Sequence, residues 1–275
     1  MRSASAVLGG WLRPSSRALL LGATLLAPAA LAAQSYAATQ FRCAAFHQSV
    51  TGKVRTELNT TLRLEQAGRE GRLLVRLDSA VAGRFHLDLW WDSLLVWREA
   101  DGSRLTPETD GLLGGRYTGV LDRQGEYLPE RVPFIPDDVA AIADLTGVPD
   151  DLLPPLPPQP LAVGARWSDS NGVVVRRLAD SAASGRRFAR YQIERRTAHQ
   201  ERRDVGGPKP AQIEDNETET GQLTWDNALG PWRWQRTIVA ETRIVADAKR
   251  GFRSRLEQRI VLQREITDSA ACAVK

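Results

Sequence analysis

From Lys53 to Glu65 the sequence alternates between two residue classes. Val54, Thr56, Leu58, Thr60, Leu62 and Leu64 fall on one face, and Lys53, Arg55, Glu57, Asn59, Thr61, Arg63 and Glu65 on the other. A period of two sustained this long fits a strand with one dry and one wet side and fits no helix. Gly68 to Gly71 reads as a turn. Leu73, Val75, Leu77 and Val81 then oppose Arg72, Arg76 and Asp78. After Gly83, Phe85, Leu87, Leu89 and Trp91 oppose Arg84, His86 and Asp88. Connections this short make the three strands an antiparallel meander.

The same period continues through most of the chain. Leu94 to Arg98 reads as a further short strand before an Asp101-Gly102 turn, and Gly115 to Asp122 sets Tyr117 and Leu121 on one face. Ala165 to Ser168 follows, then Val173 to Asp180 after Asn171-Gly172, and Arg187 to Ala198 with Ala189, Tyr191, Ile193 and Thr197 aligned. A Gly206-Gly207-Pro208 loop leads to Gln212 through Trp225. Trp232 to Ala246 aligns Trp232, Trp234, Ile238, Ala240 and Ile244, and the last strand aligns Phe252, Leu256, Ile260, Leu262 and Ile266. The count is about eleven strands.

One principal helix is expected near residues 137–146, where Val139, Ile142 and Leu145 have helical spacing. Asp137 or Asp138 would cap it, Gly147 would end it, and Asp150 could cap a second turn. Capping explains these paired acids better than acid–base chemistry does. Residues 153–160 (LPPLPPQP) must be extended. They read as a stiff strap across one domain rather than a linker, because neither half of the chain has a self-sufficient pattern. A sheet this large buries its apolar face by curling, and one helix cannot cover it. The fold expected is therefore mainly β: a curved antiparallel sheet or half-barrel, wholly or partly closed, with the helix plugging one side.

The amino terminus stands apart. Arg2, Arg13 and Arg17 precede the apolar run 18–26, Pro28 breaks it, and Ala30-Leu31-Ala32 supplies small residues for cleavage. This is the layout of a secretory signal over residues 1–32, leaving a β domain over 33–275 in a periplasmic or extracellular location. The run is too short for the roughly 20 residues of a spanning helix, so no stable membrane span is expected after cleavage. Loss of three arginines takes the formal net charge from +4 to near +1. A nearly neutral chain has no electrostatic footprint for nucleic acid, and that partner is set aside. In an exported chain, Cys43 and Cys272 are expected to form a disulfide.

Catalytic signals are weak. His47, His86 and His199 are far apart and lack metal-ligand spacing, and no nucleophile or phosphate-binding motif is present. Glu217 and Glu219 sit i and i+2 on one strand. Their spacing is compatible with glycosidase work, but arginines at 186–203 facing acids at 214–219 across a hairpin account for both more simply. No metal, cofactor or enzymatic activity is expected.

Leu153-Pro154 followed by Pro160-Leu161-Ala162-Val163-Gly164-Ala165-Arg166-Trp167 forms an L-P…P-x-x-V-G-x-x-W element, similar to one in secreted bacterial β proteins. The whole layout resembles the lipoprotein-carrier half-barrels, with their curved antiparallel sheet and lid helix. That resemblance implies the fold and a lipophilic cavity, and it carries over no functional residue. The expected role is non-catalytic binding of a lipophilic molecule or envelope component. Phe85, Leu87, Leu89, Trp91, Trp232, Trp234, Leu256 and Ile260 are the expected lining. A packed scaffold without a ligand and an unrecognised hydrolase are the alternatives. Cavity volume separates the first two, and a convergent polar cluster would favour the third.

Overall fold

A computed structural model describes residues 34–79, 83–203, 211–247, 250–266 and 269–272. The expected signal segment and the Gly206–Pro208 loop lie outside them. The chain folds mainly into strands: β1 (Ala44–Leu58), β2 (Thr61–Ser79), β3 (Phe85–Ala100), β4 (Ser103–Leu105), β5 (Tyr117–Leu121), β6 (Tyr127–Arg131), β7 (Arg166–Ser168), β8 (Val173–Ala183), β9 (Arg186–Arg203), β10 (Ala211–Asp226), β11 (Gly230–Asp247) and β12 (Arg250–Glu265). All twelve join one antiparallel sheet in the order β6-β5-β3-β2-β1-β12-β11-β10-β9-β8-β7, with β4 beside β3. The sheet stays open, with edge strands β6 and β7. Both edges are short, and β6 carries Pro129, which blunts its capacity to pair with another chain.

The chain between those edges crosses the concave side. It holds two single-turn helices, α1 (Asp137–Ala140) and α2 (Val148–Leu152), in place of the one helix expected near 137–146. Helical spacing of Val139, Ile142 and Leu145 meets the burial need without a continuous helix, because each residue inserts separately into the sheet. Val139 and Leu145 are fully buried, as are Val148, Leu152 and Leu156. The acids do not act as helix caps. Pro136 and Gly147 hold the N-cap positions, and neither helix has a side-chain cap. The proline-rich stretch continues the crossing. Tyr36 donates its hydroxyl to the Pro154 carbonyl (2.9 Å), and the Leu156 amide bonds the Gln124 carbonyl (2.8 Å). Burial of Tyr36 pushes its phenol well above the usual range.

Three irregularities change which face a residue occupies. The first turn lies at Asn59-Thr60, where Asn59 takes a left-handed φ of 55°, and not at Gly68–Gly71. Gly68 and Gly71 lie inside β2. A Cβ at Gly68 would fall 2.8 Å from the Trp97 ring, so the glycine admits a tryptophan laid flat on the strand. The two-residue turn pairs Leu62 with Glu57 and Leu64 with Arg55. Both leucines therefore leave the Val54 face for the convex one, where they are 51% and 62% exposed. A bulge at Asp92 makes Phe85–Ala100 one strand rather than two, with Leu87, Leu89 and Trp91 followed inward by Leu94 and Val96. The third irregularity, a second bulge, takes up Trp232, between Trp225↔Pro231 and Thr224↔Arg233.

The core is one cluster between the concave face and the crossing segment, with Trp91, Trp225, Trp234, Tyr117 and Tyr191 as its largest members. Arg264 seals one end. Its guanidinium donates to the Leu229 and Gln40 carbonyls and lies over Phe41 and Phe46, and burial lowers its pKa to about 10. On the convex face Ala45, Leu74 and Trp90 pack under the carboxy-terminal turn with Cys272. There Cys272 is joined to Cys43 by a disulfide, with Cα atoms 5.6 Å apart. The bridge spans 229 residues, for which the chain-entropy estimate is about 5 kcal/mol, so reduction should destabilise the fold by up to about that amount. Urea unfolding of the oxidised and reduced protein checks this, and coincident midpoints would refute it.

Candidate functional site

Beneath the crossing segment the concave face is charged. Arg69 on β2 and Arg236 on β11 are both buried, and they converge on one carboxylate, that of Asp151 in α2. In the sheet Arg69 pairs with Val50, Val50 with Ile260, and Ile260 with Arg236. The two arginine backbones are thus three strand spacings apart, about 14 Å. Only long side chains on a concave surface can span that gap and meet. Arg69 also donates to the Gln48 side chain (3.1 Å) and to the Asp144 carbonyl (2.6 Å). Arg236 continues to Glu219 at 2.8 Å, and Glu219 to Arg195 at 3.0 Å.

Burial pulls the Arg236 pKa down, but Asp151 and Glu219 together outweigh it and hold it above the ordinary value. Asp150, the preceding residue, shifts the other way for a carboxylate. Burial and then the neighbouring Asp151 charge raise its pKa. The residue keeps a solvent-exposed part, so solvent screens the effect. Glu217 and Glu219 both serve as partners of Arg195, at 3.2 and 3.0 Å, which matches the expected β9–β10 charge pairing. The three histidines lie on separate strands beside carboxylates, His47 at 3.1 Å from Glu70, His86 at 3.8 Å from Glu130 and His199 at 3.7 Å from Glu201.

A cleft of about 400 Å³ opens beside this cluster. Its floor is mostly apolar, Val50, Gly52, Val54, Ala67 and Leu256 with Gln258 among them, its roof is Ile142, Ala143, Asp144 and Gly147, and Arg69 and Asp151 stand at its charged end. Away from the cluster it meets an uncovered trough. Cross-strand register sets Val54, Leu256 and Ala240 in one row and Leu58, Phe252, Ile244 and Ile213 in another. Most of these side chains are half-buried, sheltered by sheet curvature alone.

The eight expected lining residues separate. Leu87, Leu89, Trp91, Trp234 and Ile260 are buried, and Phe85 packs against the core rim. They lie under the crossing segment, whose side chains fill the space above them. Trp232 leaves the face altogether, because its bulge turns it toward Phe188 at 5.7 Å. Leu256 lines the cleft. Sequence periodicity missed the ion cluster, since Arg69 sat in the supposed turn and Asp151 directly followed Asp150, the supposed cap of a second turn. One signal was present: Arg236 occupies an inward position of the Trp234–Ile238 alternation.

No family model and no curated protein matches the chain. Among solved structures, lipovitellin aligns at TM-score 0.46 and 11% identity, over 84% of this chain and 26% of that one. The chain thus spans about a quarter of the lipovitellin chain. An outer membrane channel from Pseudomonas putida F1 aligns at 0.27 and 9% identity, over 81% and 95% of the two chains. The beta domain of the Bordetella autotransporter BrkA aligns at 0.23 and 11%, over 80% and 98%. At these scores the likeness assigns nothing to this chain.

Adjacent acids should respond oppositely to mutation. Asp151→Ala leaves buried Arg69 without its carboxylate and takes one of two from Arg236, and should cost about 3–5 kcal/mol. Asp150 has a raised pKa in the fold, so its contribution is fullest at acid pH and is lost as pH rises through that pKa. Asp150→Asn should therefore stabilise slightly at neutral pH and lose that advantage in acid. Urea midpoints measured at both pH values test the pair.

Proposed function

We propose that the protein is a non-catalytic binder of a lipophilic molecule, exported to the periplasm or beyond. The observation that carries this reading is the cleft, which runs from beneath the crossing segment into the half-buried trough of β1, β12 and β11. Its volume lies in the range of small-molecule sites, and its floor is mostly apolar. The Cys43–Cys272 disulfide and the signal-like amino terminus support the compartment. Two of the strands, β2 and β11, extend for 19 and 18 residues, about 60 Å. The crossing segment covers only part of that length. A packed scaffold would have no need to leave the remaining apolar rows open on the concave side.

Binding should be lost when the cleft is filled. A Cβ at Gly52 would meet Leu256 at an ordinary 3.5 Å, so Gly52→Leu can extend into the cleft without a backbone clash. Saturable binding of a fluorescent acyl probe to the wild-type protein is expected, with affinity about tenfold weaker in Gly52→Leu and a thermal midpoint within a few degrees of wild type. Trp234→Ala serves as the contrast. Its ring lies over Gly221 in the packed core, so truncation should cost about 3–5 kcal/mol. An absence of saturable binding to wild type would overturn the proposal in favour of the scaffold.

A further inference from the structure

We infer that the Arg69–Arg236 pair is an anion site for the headgroup of an anionic single-chain amphiphile, and that Asp151 occupies it as an internal substitute. This rests on the cleft being a binding site for apolar chains and adds the chemistry of the group at its charged end. Arg69, Asp144 and Asp151 line the cleft, so a chain lying on Val50, Val54 and Leu256 ends beside the Arg69 guanidinium and the Asp151 carboxylate that joins it to Arg236. Among the described residues, Asp151 is the carboxylate within ion-pair distance of Arg69. Arg236 keeps Glu219 as a second partner.

Donor capacity at the site exceeds what one aspartate can use. Among the described residues, buried Arg236 Nε and Gln48 Nε2 have no hydrogen-bond partner, although Gln48 is bonded through its oxygen to Arg69. A carboxylate or phosphate accepts from several donors at once, and buried guanidiniums are matched to such planar or tetrahedral anions. The Asp151 side chain can give way by rotating about its own bonds, because it borders the cleft, while Val148 and Leu152 keep α2 in place. The anion enters as Asp151 moves out toward solvent. No bond forms or breaks, and the buried charge is conserved in the exchange.

Dodecanoate, 1-dodecanol and acetate, all below their aggregation limits at about pH 8, where carboxylates are ionised, separate the possibilities. Each is titrated against the full mature protein by calorimetry or by displacement of the acyl probe. Wild type should prefer dodecanoate to dodecanol by about tenfold or more, and acetate should not compete. Asp151→Asn weakens the internal competitor and should widen that preference by roughly threefold or more. Arg236→Gln should bring it to about one. Equal affinity of wild type for acid and alcohol would overturn this inference alone and leave the apolar cleft standing. Competition by acetate would overturn the requirement for an attached chain. If neither dodecyl compound saturates, both this inference and the cleft reading fail. The wild-type comparison needs no variant, so it holds even if Asp151→Asn does not fold.

Discussion

The carboxylate of Asp151, held between Arg69 and Arg236, joins the two layers of the molecule. An open sheet has two edges, and the chain must travel from one to the other to continue. Here that passage lies over the concave face, and α1 and α2 are each about one turn long. Helices so short do not stand alone. Their position comes from Val139, Val148 and Leu152 inserted into the core and from the carboxylate that bridges β2 and β11. Taking three charges out of water is costly, and the Coulomb gain only partly offsets it. What the cluster contributes is placement, since few other geometries satisfy both arginines.

That placement divides the concave face in two. On one side of the ion cluster, tryptophans and leucines are packed shut by the crossing segment. On the other, the same strands run on with apolar rows sheltered by curvature alone. The cleft lies at this boundary, with a mostly apolar floor and one charged end. Convex-face features serve other ends. The disulfide and the Trp90 cluster fasten the carboxy terminus beside β1, and Arg116 lies over the Trp90 ring at 3.6 Å.

Much of the fold was legible because alternation is a local signal. Tyr117 and Leu121, or Ala189, Tyr191 and Ile193, point inward as their spacing requires. Legibility failed wherever one residue was inserted or a turn fell one step away. The bulges at Asp92 and Trp232 and the hairpin at Asn59-Thr60 each reverse the faces beyond them. A reading by parity therefore placed Trp232 with Trp234 and Leu62 with Val54, and in both cases the sheet separates them. Glycine misled for a related reason. Gly68 makes room for Trp97, a residue almost thirty positions away in sequence, and nothing beside it announces that contact.

By itself the sequence determined that the chain is mainly antiparallel sheet with one dry face, that one segment near residues 137–160 departs from it, and that two cysteines lie near opposite ends. These follow from periodicity, from proline's fixed backbone and from composition, which are properties of neighbouring residues. Tertiary structure alone decided that the sheet stays open, that the departing segment spans its mouth as two short turns, and that Asp151 meets arginines on strands three places apart. Such contacts depend on curvature and register accumulated over the whole sheet, and those are set by the packing of strands distant in sequence rather than by any single stretch of residues.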